Sequence, residues 1–234
     1  MRQIFLDTET TGLSPDNGDR IVEIGCVELV ARKLTGNNKH FYLNPDRVSH
    51  EEAFKVHGIS DDFLKDKPRF GVIAGELLAY LNGAEVIIHN APFDVGFLNK
   101  ELEICGQHPI SAHVSKITDS LMMAKELYPG KRNSLDALCD RLEVDNSGRT
   151  LHGALLDAEL LADVYINLTR GQNSLMMDAG NTAHTNDSTL ALDLSQFVLP
   201  LLAADDSELA AHEVVLLDID KASKGRAVWR TAGV

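Results

Sequence analysis

Apolar residues recur at two spacings along this 234-residue chain, and the change from one to the other marks its organisation. The first 43 residues hold short runs of strand length. These are Ile4-Phe5-Leu6, then Ile21-Val22-Glu23-Ile24-Gly25-Cys26-Val27-Glu28-Leu29-Val30, then Phe41-Tyr42-Leu43 before Asn44-Pro45. Their β-branched content, and the turn residues Ser14-Pro15-Asp16-Asn17-Gly18-Asp19 between the first two, predict an antiparallel meander. From about Ser49 the apolar positions take helical spacing. Ser49 and Glu52 stand at the interval of a capping box, and residues 70–81 carry an apolar face of helical period. Residues 84–90 predict a strand that ends in polar residues, after which Pro92 opens a helix over 93–104 that Gly106 stops. A short strand at 116–119 and helices at 120–127, 134–142 and 154–169 follow. Strands first, then strands alternating with helices, predict an α/β domain with a mixed sheet covered by helices.

After Arg170 the pattern lapses. Residues 171–191 are rich in Asn, Thr, Ser, Asp and Gly, the composition of a flexible linker. Leu192, Leu194, Phe197, Val198, Leu199, Leu201 and Leu202 then restore apolar content, but Pro200 and Asp205-Asp206 cut it into segments too short for a core of their own. Residues 192–234, with the only tryptophan, Trp229, predict a flexible C-terminal tail that orders on a partner. The expected organisation is therefore a domain over 1–170, a linker over 171–191 and a tail over 192–234.

Composition narrows the class. With 44% hydrophobic and 24% charged residues the chain reads as soluble and globular. It has no run of eighteen apolar residues to span a membrane and no signal-peptide pattern at its start. Cys26, Cys105 and Cys139 are too scattered for a disulfide frame or a zinc site and suit a reducing cytoplasm. The net charge is −13; residues 1–170 carry 18 Lys and Arg against 26 Asp and Glu, a net −8, and residues 171–234 carry the other −5. Such a balance argues against broad duplex binding through a basic face. It leaves open a pocket that grips a few nucleotides through bound cations, or delivery to a substrate by a partner.

The candidate chemistry lies where elements end. Asp7 and Glu9 are two apart on a strand, so their carboxylates share a face. Like charges at the end of an apolar strand repel, and desolvation sharpens the repulsion; a divalent cation with oxygen ligands offsets it. Asp94 falls in the first turn of the helix after the 84–90 strand. Asp157 opens the 154–169 helix, with His152 five residues earlier. Each alone has an ordinary reading as a turn cap, a helix N-terminal acid or a surface histidine. Four acids arriving together suit a site holding two Mg²⁺ or Mn²⁺ ions about 3.5–4 Å apart.

Three stretches, Asp7-Thr8-Glu9-Thr10-Thr11-Gly12-Leu13, His89-Asn90-Ala91-Pro92-Phe93-Asp94 and His152-Gly153-Ala154-Leu155-Leu156-Asp157-Ala158, resemble in this order the motifs of the DEDDh 3′–5′ exonucleases, a family of ribonuclease H-like fold. The resemblance spans residues 2–170 and, within the family, is strongest to proofreading subunits of bacterial replicases. It implies two-metal hydrolysis at a single-stranded or frayed DNA 3′ end, releasing 5′-monophosphates. Asp7, Glu9 and Asp157 would hold one ion, Asp7 would bridge to the second, and Asp94 would act through water. His152, with an ordinary pKa near 6.5, would accept the proton of the attacking water. Residues 51–59 resemble the family's substrate segment, which puts Glu52 and His57 on the terminal nucleotide alongside Asp7 and Glu9, with Asn90 and Phe93 lining the pocket.

Gln172-Asn173-Ser174-Leu175-Met176-Met177 resembles the peptide by which replication proteins dock on the sliding clamp, with Gln172, Leu175 and Met177 as anchors. The tail beyond, by the same resemblance, binds the polymerase (alpha) subunit in the cytoplasm, and a small accessory subunit on the catalytic domain stays compatible with the sequence. Two other readings share these motifs: an RNA-trimming exoribonuclease, and a non-catalytic subunit that bridges clamp and polymerase. The presence of all five motif residues weighs against the second.

Overall fold

The computed structural model describes residues 2–147, 151–170 and 204–223. Its spine is the antiparallel pair β1 (Arg2–Thr10) and β2 (Ile21–Val30), in register from Arg2 opposite Val30 to Glu9 opposite Glu23. β5 (Glu85–Ile88) runs parallel to β1 on its other side, and β6 (Lys116–Asp119) runs parallel to β5. β4 (Lys39–Tyr42) and the two-residue β3 (Lys33–Leu34) both pair with β2 and complete a six-stranded mixed sheet.

Helices cover both faces. Ile4, Leu6, Ile24, Cys26, Val86 and Ile88 point to one face and pack on α3 (Phe70–Leu81) and α4 (Ala91–Ile104) through Leu77, Leu81, Phe97 and Leu98. Phe5, Val27, Leu29 and Ile87 point to the other and pack on Ala158, Leu161 and Ala162 of α7 (Ala154–Leu168). Burial on both sides explains why β2 reads as a nearly unbroken apolar run rather than an alternating one. α5 (Ser120–Leu127) and α6 (Leu135–Leu142) join α7 through Ala124, Leu138, Cys139, Leu160 and Val164. The mixed sheet and the main helices thus stand where the apolar spacing predicts.

Three local features differ from expectation. β3 is joined to β2 by Ala31 and Arg32, both at positive φ (50° and 64°), so this tight hairpin turn lacks the usual Asn-Gly signature. Arg32 is tied down from far away, donating to Thr169 Oγ1 at 2.9 Å and to the Ile166 carbonyl at 2.8 Å at the end of α7. Second, α1 (Glu51–His57) is not opened by a Ser49–Glu52 capping box; its N-cap is His50, without a side-chain bond. Two loop contacts compete: Ser49 donates its N–H to Asp61 Oδ1 of the short α2 (Asp61–Leu64), and His50 donates its N–H to the Thr11 carbonyl. The third difference lies in the C-terminal region.

The chain divides into two units, Met1–Ala179 and Gly180–Val234. In the second, Asp205-Asp206 begins a helix instead of breaking one: α8 (Asp206–Ala222). Asp205 accepts the N–H groups of Ser207 and Glu208 at 2.8 Å each, while Glu208 Oε2 accepts the Asp205 N–H at 3.0 Å, a reciprocal capping box. α8 buries none of its residues, and Leu209, Val214, Val215, Leu217 and Ile219 are exposed. Gln172, Leu175 and Met177, the 171–191 linker, Leu192 to Leu202 and Trp229 lie outside the described residues. Among the described residues no helix is long and apolar enough to cross a membrane.

One ion pair ties the loop after β1 to the body. Arg20 donates twice, from Nε and Nη2, to Glu101 of α4 at 2.7 Å each, and Glu101 is only 2% exposed. Removing the cation leaves a buried carboxylate with only a long bond from the Ile21 N–H at 3.4 Å, so Arg20→Ala is expected to destabilise the protein by about 3 kcal/mol in urea unfolding. A loss below about 1 kcal/mol, the scale of surface pairs, would contradict this reading of the pair.

Candidate active site

The parallel strands deliver their carboxyl ends to one edge of the sheet. β1 pairs with β5 only through Gln3 to Phe5, so beyond Phe5 it continues with an open side, and the Thr8 N–H looks out on that side. Asp94, in the first turn of α4, fills it: its Oδ1 accepts from the Thr8 N–H at 3.1 Å and from Thr8 Oγ1 at 2.7 Å. Thr8 faces the α3–α4 side of the sheet, so Asp94 approaches the end of β1 from that side. Burial pushes the Asp94 carboxyl up to about 7 against the pull of the Thr8 bonds, and the nearby Asp119 adds to the rise. A cation beside it would reverse this cost.

The turn into α4 is clamped from β6. Asn90 sits in the left-handed region (φ 69°) and donates its N–H to Asp119 Oδ1 at 3.2 Å. The same oxygen accepts the Leu121 N–H at 2.9 Å and so caps α5. His89 contacts Ser120 Oγ through Nδ1 at 3.0 Å.

Asp7, Glu9, Glu23 and Gly25 face the other way, toward α7. Gly25 lies opposite Asp7 in the ladder. A Cβ there would overlap the Ala154 carbonyl carbon and the Leu155 nitrogen, so the start of α7 rests directly on the β2 backbone. From this position α7 brings Asp157 over the end of β1. Glu9, His152 and Asp157 each offer a ligand atom, all within 4.8 Å of one another. His152 Nδ1 lies 3.2 Å from Asp157 Oδ2, and the His152 N–H donates to the Val56 carbonyl of α1 at 3.1 Å. Asp157 and Glu9 are buried, at 4% and 9% exposure. Asp7 on the same face and Asp94 on the opposite one stand outside this group of three. Carboxylate oxygens dominate the donor set, which fits a hard divalent cation.

A pocket of about 450 Å³ opens beside these acids, a volume in the range of small-ligand sites. It is lined by Glu9 and Thr10 of β1, by Gly12 and Leu13 of the turn that follows, by Glu52, Ala53, Val56 and His57 of α1, and by Phe93 of α4. His57 is buried, which holds its pKa below the ordinary value. Its Nδ1 accepts the Ile59 N–H at 3.0 Å, so the ring proton is on Nε2. Phe93 leans on Phe97 with ring centroids 5.0 Å apart. Asn90 is exposed and is not among the residues lining this pocket. The turn after β1 is held by Asp19, which accepts from Thr11 Oγ1 at 3.2 Å and from the Ser14 N–H at 3.1 Å and pairs with Arg47 and His50. Burial works against its charge, yet these bonds and the two bases keep the Asp19 carboxyl below the usual range.

Asp19, Glu23, Gly25 and Asp119 were not singled out in the sequence as site residues. The first reads as a turn acid and the last as the end of a short strand. Only Gly25, a glycine inside a strand, carries a signal, that of close backbone approach.

A mixed sheet of this topology, with acids gathered where its parallel strands end, is the exonuclease fold. A family profile described as Exonuclease (RNase_T) matches residues 4–165. Exonuclease X, solved with 5′-overhanging duplex DNA, aligns at a TM-score of 0.56 and 25% identity, over 74% of this chain and 92% of its own. The E. coli exonuclease I complex with single-stranded DNA aligns at 0.64 over 74% of this chain and 41% of its own; at 19% identity this speaks to the fold alone. DNA polymerase III subunit epsilon of Escherichia coli (strain K12) is 49% identical over 98% of this chain and 97% of its own length. The same subunit of Rickettsia prowazekii is 55% identical over 74% of this chain and 76% of its own. The chain belongs to this family of DNA polymerase III epsilon subunits, divalent-metal-dependent exonucleases that proofread from the 3′ end. The resemblance carried by the three sequence motifs is thereby met in both fold and family.

Proposed function

We propose that Asp7, Glu9, Asp94 and Asp157 hold two divalent ions, Mg²⁺ or Mn²⁺, and that His152 is the general base in removing the 3′-terminal nucleotide of a single-stranded or frayed DNA end as a 5′-monophosphate. The observation that carries this reading is the meeting of Glu9, His152 and Asp157 within 4.8 Å, with Glu9 also lining a pocket of nucleotide size. With Nδ1–H directed to Asp157 Oδ2, the basic nitrogen of His152 is Nε2, which takes the proton of the attacking water. His152 is near half exposed, so this nitrogen can exchange its proton with solvent. When bound, the ions relieve charge on the phosphoryl oxygens and on the departing 3′-oxygen. Asp94, whose Oδ1 is bonded to Thr8, acts on this reading through water. Glu52 and His57 meet the terminal nucleotide, Glu52 as an acceptor and His57 through Nε2–H, while Phe93 gives the base an apolar face.

The 1–170 segment is on this reading the exonuclease domain. Gln172, Leu175 and Met177 dock on the sliding clamp, and residues 192–234 bind the DNA polymerase III alpha subunit. The names of the relatives support the polymerase, and the exposed apolar side chains of α8 suit a partner-binding tail. Tethering raises the local concentration of DNA ends and lets a domain of net charge −8 work without a basic face.

Purified full-length protein should release 5′-monophosphates stepwise from single-stranded DNA with Mg²⁺, act more slowly on matched RNA, and do nothing in EDTA. Preference for RNA would replace the assignment with an exoribonuclease. Cleavage of neither would leave a bridging subunit.

A further inference from the structure

Behind the acids lies a second polar cluster, built around a residue the chemistry above does not use. Glu23, in β2, is 2% exposed. Its partner across the β1–β2 ladder is Glu9, so the two carboxylates stand side by side on the face toward α7. A second buried acid beside a site already rich in like charge is costly unless its oxygens are satisfied. Both are. Glu23 Oε2 accepts the Ala154 N–H at 3.1 Å, and Oε1 contacts His40 Nε2 at 2.6 Å. His40, from β4, rests against Tyr42 with ring centroids 4.6 Å apart, and Tyr42 is the cross-strand neighbour of Glu23.

What Glu23 grips is the point of interest. Ala154 is the first residue of α7, and its N–H has no acceptor inside the helix. It lies two residues after His152 and three before Asp157. Gly25, on the same face, lets this helix start settle onto β2, but a glycine only permits approach and does not fix a position. The bond from Glu23 supplies the fixed point.

We propose that Glu23 is a positioning residue for the exonuclease reaction: held by His40, it sets the start of α7 and so the spacing of Asp157 and His152 from Glu9. The inference rests on the metal-site reading given above. Residues that orient metal ligands from behind typically change metal affinity or activity by about 10–100-fold. A residue that served only the stability of β2 would lower the melting temperature and leave those quantities alone.

The test uses full-length protein, with Mn²⁺ binding followed by calorimetry in the absence of DNA, and with kcat and KM on labelled single-stranded DNA. Glu23→Ala is expected to weaken Mn²⁺ binding and to lower kcat, each by about 10–100-fold, with KM changing less than kcat. Glu23→Gln keeps an oxygen for the Ala154 N–H, and its amide can donate to His40 Nε2 once that ring carries its proton on Nδ1; it should restore most of both. Parent-like Mn²⁺ affinity and kcat in folded Glu23→Ala would overturn the proposal, as would a Glu23→Gln protein as impaired as Glu23→Ala. Should Glu23→Ala not fold, His40→Ala frees Glu23 from its anchor and should show a smaller loss of the same sign; parent values there would also overturn it. Asp157→Asn separates the two readings. Loss of Mn²⁺ binding in Asp157→Asn but not in Glu23→Ala sinks the role of Glu23 alone, whereas retention in both sinks the metal site itself.

Discussion

Asp7→Ala is expected to fold as the parent does and to lose turnover by about 10³-fold or more. Divalent ions contribute several kcal/mol to stabilising charge in such a transition state, and each 1.36 kcal/mol is about tenfold in rate. Asp7 is only half-buried, at the end of β1 and on the same face as Glu9. Removing one of two like charges eases a repulsion, so the metal-free melting temperature should equal or exceed that of the parent. The rise in melting temperature that saturating Mn²⁺ gives the parent, a consequence of binding to the folded state alone, should shrink or vanish. The checks are turnover on 3′-labelled single-stranded DNA and thermal melting with and without Mn²⁺. Substantial cleavage by a well-folded Asp7→Ala protein would falsify the two-metal assignment.

Gly25→Ala should fail differently, losing stability and turnover together. The added methyl meets backbone atoms of Ala154 and Leu155, not the end of a side chain that could rotate away. Overpacking of this kind costs about 1–3 kcal/mol, and the upper end is expected because the helix must shift as a unit. A displacement of about 1 Å at a catalytic group can cost about 10²-fold, and Asp157 and His152 ride on the displaced segment. Urea unfolding and kcat measured on one preparation test the pairing of effects. A Gly25→Ala protein that unfolds like the parent and cuts like it would show that α7 does not depend on this contact for its place.

Much of this was legible because it rests on residue types that act over a few positions. β1 announces itself by Ile4-Phe5-Leu6 running into an acid pair. α3 carries its apolar face over the full span from Phe70 to Leu81, and α4 begins beside its proline. What escaped the sequence was held from a distance. Ala31 and Arg32 turn β2 into β3 without glycine or asparagine, because Arg32 is fastened to the end of α7 more than 130 residues later. Ser49 looked like a cap, but its N–H and that of His50 are claimed by Asp61 and Thr11. Asp205 and Asp206 read as an interruption, though the Asp205–Glu208 interval was the signature of the helix that follows. Glu23 was hidden by its surroundings: with both faces of β2 buried, no alternation marks which polar residue in the run has a task. The acids of the proposed site stand in the sequence as motifs, whereas Glu23, Gly25 and Asp119, which contact the elements carrying them, are ordinary in sequence and become distinct only when the sheet is closed.

The packing of α7 on β1 and β2 also bears on when the enzyme comes into being. A growing chain leaves the ribosome amino end first, at about 5–20 residues per second. Asp7 and Glu9 are therefore among the first residues made, the β5 partner of β1 arrives with residues 85–87, and Asp157 arrives only with the last helix of the domain. A nascent chain short of α7 carries the first acids and the pocket residues without Asp157 or the helix that brings it over β1. On the proposed site, a chain released before α7 is complete is expected to lack nuclease activity, so the order of synthesis would keep a half-made copy from attacking nucleic acid beside its ribosome.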